Sequence, residues 1–136
     1  MDYTNLLKQA EEAAKNAYAP YSNFHVGSAV LTEKGVFVGA NVENAATNLG
    51  ICAERVALSQ ARIQGARKIE VIAVFCADAK KDEAGEYILS ETMPCGGCRQ
   101  WMLELAPDAV VVSNGLSEPI SVRELLPHGF ISDLSG

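Results

Sequence analysis

The sequence lacks any apolar run that approaches the ~18 residues needed to span a membrane, so we expect no membrane segment. Its first stretch, MDYTNLLKQAEEAAKNAY, lacks the basic and then apolar layout of a secretory signal, because acidic residues come early. We therefore expect a mature protein of the cytoplasm. The length of 136 residues is typical of one domain with its own core, and we predict a single domain over residues 1–136.

Clusters of basic residues are absent as well. The chain has 11 Lys and Arg against 17 Asp and Glu, for a formal net charge of −6. A general nucleic-acid binder needs a basic surface that displaces counterions from phosphates. The composition therefore argues against a nucleic-acid partner and favours a free small molecule as the ligand.

Histidine is scarce, and cysteine is the residue that remains for metal chemistry. His25 and His128 each lack a partner at metal-ligand spacing, so we expect polar packing or surface positions for both. Cysteine occurs at positions 52, 76, 95 and 98. Without a secretory signal, this spacing favours metal binding or catalysis over disulfides. Cys76 ends the apolar run IEVIAVFC and is most simply a buried small hydrophobe.

Strand-like and helix-like segments alternate along the chain and predict an α/β fold. We expect a first helix capped by Thr4 and ended by Pro20, followed by strands 25–32 and 36–42, helix 52–64, strand 69–76, helix 95–105, strand 109–113 and helix 122–126. The first two strands form an antiparallel hairpin, and the later β-α-β unit is parallel. The prediction is a three-layer α/β/α sandwich with a mixed sheet. In helix 52–64, the residues available for burial are Val56, Ala57, Ala61 and Ile63.

The stretch TMPCGGCRQ holds Cys95 and Cys98 at a spacing that brings two sulfurs to one metal ion. By itself this pair is also compatible with a redox dithiol or with chance. Cys52 opens another predicted helix, and two helix N-termini facing one point would stabilise thiolates. Three thiolates and a zinc ion leave the fourth tetrahedral position for water, as in catalytic sites.

Glu54 follows the first of these cysteines by two residues. Positions two apart in a helix point to different sides, so Cys52 can face the metal while Glu54 faces the substrate. Zinc lowers the pKa of a bound water towards ~7, and Glu54 can then take its proton. Arg55 is a candidate for drawing charge off the thiolates through hydrogen bonds to sulfur. The alternatives are an ordinary acid in the first turn for Glu54 and a salt bridge for Arg55.

These motifs together resemble the small, homotetrameric type of zinc-dependent cytidine deaminase. The matching stretches are YAPYSNFHVGSAV, GANVENAA, GICAERVAL, PCGGCRQ and ELLP, in family order. The resemblance implies a cytidine-deaminase-like fold, one zinc ion per chain, and hydrolysis of the 4-amino group of cytidine or deoxycytidine with release of ammonia. It also implies a homotetramer with active sites near the subunit interfaces.

The resemblance further assigns roles to individual residues. It implies that Glu54 shuttles protons to N3 of the base and to the leaving ammonia. It implies that the substrate is contacted by Phe24 through its ring, by Asn41 and Glu43 at the ribose hydroxyls, by Ala53, and by Phe130 from a neighbouring subunit. Without the resemblance, Phe24 is more simply a core residue, and Asn41 and Glu43 are turn caps.

Three features depart from the family pattern. Thr47 stands where relatives usually carry an aromatic residue, segment 77–92 is longer than usual and leads directly into two of the cysteines, and LLPHGF replaces the more usual LLPGAF. We expect the long segment to reshape the rim of the pocket. The departures leave open another amino-pyrimidine nucleoside or a blasticidin-type antibiotic as the substrate. A thiol–disulfide protein using Cys95 and Cys98 is the alternative from a different class.

Overall fold

The computed structural model describes residues 2–132. The helices are α1 (Thr4–Ala14), α2 (Ala53–Ile63), α3 (Gly96–Leu105) and α4 (Val122–Leu125), and the strands are β1 (Val26–Thr32), β2 (Gly35–Ala40), β3 (Ile69–Cys76), β4 (Val110–Ser113) and β5 (Ile120–Ser121). Short 3-10 helices cover Thr47–Leu49 and Leu89–Glu91. Among the residues described, no helix is long and apolar enough to cross a membrane.

The five strands form one mixed sheet in the order β2-β1-β3-β4-β5. β1 pairs antiparallel with β2 and β3, β3 pairs parallel with β4 across the α3 crossover, and β4 pairs antiparallel with β5. β3 is apolar at every position except the exposed Glu70, since both faces of the strand are covered along most of its length. Ile72 packs on one side of the sheet and Val71 and Ala73 pack on the other.

Helices cover both faces of the sheet. α1 packs on one face through Leu6 and Ala10, while α2 and α3 pack on the opposite face through Leu58 and Met102. The arrangement is the predicted three-layer sandwich with a mixed sheet. It places the N-termini of α2 and α3 on the same side of the sheet, beside the carboxyl end of β3.

Two glycines allow helices to approach the strands closely. A Cβ atom at Gly27 would lie 1.8 Å from the carbonyl oxygen of Ala10 in α1, and one at Gly39 would lie 2.5 Å from the backbone nitrogen of Ala57 in α2. Any larger residue would push the helix away from the sheet. The position of α2, which carries Cys52 at its start, therefore depends on Gly39.

The first helix differs from its prediction at both ends. Thr4 does not cap α1, because Tyr3 is the N-cap residue. The backbone N–H of Thr4 donates a hydrogen bond to Asp2 Oδ1 at 2.9 Å. The helix ends at Ala14, well before Pro20, because Tyr18 turns to a backbone bridge instead. Its N–H donates to Asn41 O at 2.9 Å, and its carbonyl accepts from the N–H of Glu43 at 2.8 Å.

Helix α2 and the last strand correct two further expectations. Ala57 and Ala61 are buried as predicted, Val56 is only half-buried, and Ile63 is 80% exposed. Ile63 is the last residue of α2 and has no strand of the described residues packed against it. Helical periodicity alone cannot show where this covering ends. Strand β5 was not predicted, because its two residues are too short to give a pattern.

Candidate metal centre and pocket

The N-termini of α2 and α3 bring three sulfur atoms together. Cys52 and Cys95 are the extended N-cap residues of the two helices, and Cys98 lies in the first turn of α3. The Sγ atoms of all three lie within 4.8 Å of one another, with 3.9 Å between those of Cys52 and Cys95. Cys95 Sγ also accepts the backbone N–H of Cys98 at 3.4 Å, which fixes the two side chains relative to each other.

This donor set fits a zinc ion. A tetrahedral ion bound at ~2.3 Å to each sulfur holds the sulfurs about 3.8 Å apart, close to the 3.9 Å between Cys52 and Cys95. The same separation is far longer than the ~2.05 Å of a disulfide, and all four cysteines are free. Within residues 2–132, no fourth His, Cys, Asp or Glu joins the cluster. The protein therefore supplies one ligand fewer than a closed tetrahedral site needs.

Arg55 contacts the sulfur cluster, as its neighbouring position to Glu54 indicated. Its Nη2 donates to Cys52 Sγ at 3.5 Å, and its buried Nε has no hydrogen-bond partner in the described structure. The pKa of Cys52 falls to about 5, mainly through a hydrogen bond from Cys98 and also through Arg55. The same bond is the chief cause that raises the pKa of the Cys98 thiol above its usual value. In the part of the chain described, Arg55 forms no ion pair with a carboxylate.

Glu54 is buried beside the cluster. It is 4% exposed and lines the same cavity as Cys52 and Cys95. Burial raises the pKa of the Glu54 carboxyl to about 7, since the charged form is poorly solvated there. A carboxyl that titrates near neutrality can both accept and release a proton. An ordinary surface acid in a first turn would not be buried in this way.

The cavity above the cluster has a volume of about 350 Å³ and suits a small molecule. Four of the residues expected to contact substrate line it, namely Phe24, Asn41, Glu43 and Ala53. The sequence pattern did not indicate six other lining residues, which are Ser22, Val26, Val74, Cys76, Glu91 and Met93. Cys76 is buried as predicted, and burial raises the pKa of its thiol to about 12. It is not part of the sulfur cluster.

Asn41 and Glu43 are held by the backbone that leads into β1. The Oδ1 of Asn41 accepts the N–H of Val26 and its Nδ2 donates to the carbonyl of Phe24, each at 2.8 Å. Glu43 Oε1 accepts the N–H groups of Tyr21 and Ser22, each at 3.1 Å. The Ser22 hydroxyl donates to Oε2 and lowers the pKa of Glu43 below its usual value. These bonds fix both side chains at the wall of the cavity.

Phe130 does not reach the cavity of its own chain. Phe130 is 74% exposed. Its backbone is held by Gln100 of α3, whose Nε2 donates to Phe130 O at 2.7 Å and whose Oε1 accepts the Phe130 N–H at 3.2 Å. His25 is a surface residue that pairs with Asp78 at 2.7 Å, and Thr47 lies exposed in its 3-10 helix.

A mixed sheet in which two helix N-termini bring three cysteines and a buried glutamate together defines a zinc-dependent deaminase. The family model "Cytidine and deoxycytidylate deaminase zinc-binding region" matches residues 1–114. The chain belongs to this family. Zinc is accordingly the cofactor that Cys52, Cys95 and Cys98 are placed to hold.

Relatives match over almost the whole chain. The cytidine deaminase of Halalkalibacterium halodurans is 44% identical, covering 98% of this chain and 97% of the relative. Among solved structures, the cytidine deaminase of Burkholderia pseudomallei has a TM-score of 0.77 at 40% identity, covering 96% of this chain and 100% of that one. The cytidine deaminase of Mycobacterium tuberculosis has a TM-score of 0.81 at 32% identity, covering 97% and 99%. These likenesses confirm the predicted cytidine-deaminase-like fold.

Proposed function

We propose that this chain hydrolyses the 4-amino group of free cytidine and deoxycytidine, giving uridine or deoxyuridine and ammonia. The observation that carries the proposal is the position of Glu54, a buried carboxyl in a small cavity beside three convergent sulfurs. A metal site with one ligand missing and an adjacent proton carrier is what hydrolysis of an amidine-like C–N bond requires.

Glu54 moves the protons in this scheme. A zinc ion held by Cys52, Cys95 and Cys98 would supply Lewis acidity, which lowers the pKa of a water molecule towards neutrality. Glu54 takes a proton from the attacking water and delivers it to N3 of the pyrimidine. The same carboxyl then carries the second proton of that water to the amino group, so that the C4–N bond breaks, ammonia leaves and a carbonyl remains at C4.

The remaining cavity residues orient the nucleoside. Phe24 offers an aromatic face to the pyrimidine, and Ala53 lies between Cys52 and Glu54 where the base enters. Asn41 and Glu43 are an amide and a carboxylate on one wall, which together make a receptor for ribose hydroxyls. Arg55 withdraws charge from the Cys52 thiolate by its hydrogen bond and so preserves the acidity of the metal.

We further propose that four copies assemble and that Phe130 completes the site of a neighbouring subunit. Phe130 is exposed and does not line the cavity of its own chain, although Gln100 fixes its backbone, and this supports a role in another chain. Residues 1–136 would act as one domain, since one sheet carries all the helices described. A cytoplasmic location suits four free cysteines, because reducing conditions keep thiols available for metal.

The proposal is tested by measuring ammonia release and zinc content on one sample. We expect turnover of cytidine and deoxycytidine and about one zinc ion per chain. Turnover of another amino-pyrimidine or a blasticidin-type antibiotic, with none of cytidine or deoxycytidine, would contradict the substrate. A metal-free protein whose Cys95–Cys98 pair cycles with a reductant would contradict the reaction class.

A further inference from the structure

Glu91 is a charged residue of the cavity that the proposed reaction does not use. It ends the 3-10 helix Leu89–Glu91, which belongs to the long segment 77–92 leading to Cys95. Its side chain lines the same cavity as Phe24, Glu43 and Glu54. This segment therefore contributes a carboxylate to the lining of the cavity.

The fold holds this carboxylate in place. Glu91 Oε1 accepts the backbone N–H of Lys80 at 3.2 Å, which joins the two ends of the segment. The next residue, Thr92, is fully buried; its Oγ1 donates to Leu89 O at 2.9 Å and accepts from Ser113 Oγ of β4 at 3.2 Å. A Cβ at Gly115 would lie only 2.1 Å from Thr92 Oγ1, so the anchor is tightly packed. Glu91 is thus fixed at the cavity by contacts to the core.

The charges that face the cavity are negative. Its ionisable lining residues are Glu43, Glu54, Glu91 and the cysteines 52, 76 and 95, and no Lys, Arg or His among the described residues lines it. Arg55 is directed to Cys52 Sγ instead. With zinc bound, three thiolates still exceed the dication by one negative charge. Glu43 is already bonded through both carboxylate oxygens, whereas Glu91 has a single bond to Lys80.

We infer that Glu91 is a specificity-determining residue that disfavours nucleoside 5′-phosphates relative to uncharged nucleosides. A fixed carboxylate in a confined cavity repels a phosphate through Coulomb interaction and leaves a neutral ligand nearly unaffected. Membership of the family does not decide this point, because its description covers both cytidine and deoxycytidylate deaminases. The inference rests on the proposed function, since it concerns the choice of substrate at the same site.

The test compares Glu91→Gln with the wild type on deoxycytidine and deoxycytidine 5′-monophosphate. Glutamine keeps an Oε1 that can accept the N–H of Lys80, so only the charge is removed. We expect the ratio of kcat/KM for the nucleotide to that for the nucleoside to rise about tenfold, with the nucleoside value changed by no more than about twofold. The rise should shrink at high salt, because exposed charges are screened.

Two further variants separate charge from structure. Glu86→Gln removes an equal charge from the exposed part of the same segment, outside the cavity, and should leave the ratio unchanged. Glu91→Asp keeps the charge and should keep the discrimination. If nucleotide turnover is too slow to measure, the ratio of the inhibition constants of deoxyuridine 5′-monophosphate and deoxyuridine measures the discrimination in binding, which should change in the same direction.

An unchanged ratio in Glu91→Gln, with normal deoxycytidine turnover, would overturn the inference and leave the proposed function intact. An equal rise in Glu91→Asp would also overturn it, since the charge would then not be the cause. A wild-type protein that releases ammonia from neither compound would instead overturn the proposed function.

Discussion

The side-chain Nδ2 of Asn41 donates to the backbone carbonyl of Phe24 at 2.8 Å, while its Oδ1 accepts the N–H of Val26. One amide thus joins the start of β1 to the end of β2, and it does so at the wall of the cavity. The residue proposed to bind ribose therefore also holds the backbone of the residue proposed to face the base. The proposed sugar and base subsites are therefore joined through this one side chain.

We predict that Asn41→Ala weakens both binding and folding. The Val26 N–H and the Phe24 carbonyl lose their partners, which costs about 1–3 kcal/mol of unfolding free energy for partly buried groups, and KM rises because a ribose contact is lost. Denaturant unfolding and steady-state kinetics measure the two effects. Asn44→Ala is the control, because it removes only an exposed hydrogen bond from the N–H of Ala46. It should change the unfolding free energy and KM little. An Asn41→Ala protein as stable as the wild type would refute the coupling.

Glu54→Gln should keep the fold and the zinc but lose turnover. Glutamine has nearly the same shape and removes only the group that carries protons, so we expect kcat to fall by at least about 100-fold. Zinc content and a melting curve establish that the centre is intact. A variant that keeps more than about a tenth of the normal rate would show that another group moves the proton.

Zinc binding should depend on Cys98 and not on Cys76. Both thiols are buried, but only that of Cys98 belongs to the sulfur cluster. We expect Cys98→Ala to lose the metal, because two sulfurs remain for a tetrahedral ion. Cys76→Ala should retain about one zinc ion per chain, with a modest loss of stability from the small cavity. Stoichiometric, tight zinc binding by Cys98→Ala would show that the ligand set is wrong.

One half of the sulfur cluster could be predicted from spacing, because Cys95 and Cys98 lie within one turn at the start of α3. Cys52 could be placed at the start of α2 by its pattern, but its meeting with Cys95 across 43 residues of chain was indicated by the resemblance to the deaminase family. Glu91 could not be predicted, because its position depends on bonds to Lys80 and, through Thr92, to Ser113, which are distant in the chain.

Similar reasons explain the other differences. The interpretation of Asn41 as a turn cap did not include its hydrogen bonds to the backbone of Phe24 and Val26, which lie just before and at the start of the neighbouring strand. Helical periodicity placed Ile63 among the buried residues, although it lies at the end of α2 and is exposed. Periodicity predicts which residues share one face of a helix. It does not predict how far along the helix the sheet covers that face.

The role of Phe130 in a neighbouring subunit can be tested by mixing two defective chains. Phe130→Ala should lower kcat/KM about tenfold, the order expected for one lost aromatic contact, and Glu54→Gln should be nearly inactive. If Phe130 acts in another chain, an oligomer of both variants contains sites that combine the Glu54 of one chain with the Phe130 of the other. Co-expressed and co-purified chains should then exceed the activity of Phe130→Ala alone, with sedimentation giving the size of the assembly. If the mixture is no more active than the Phe130→Ala chains in it, the proposal is contradicted. Phe130 would then act in the site of its own subunit or in no site.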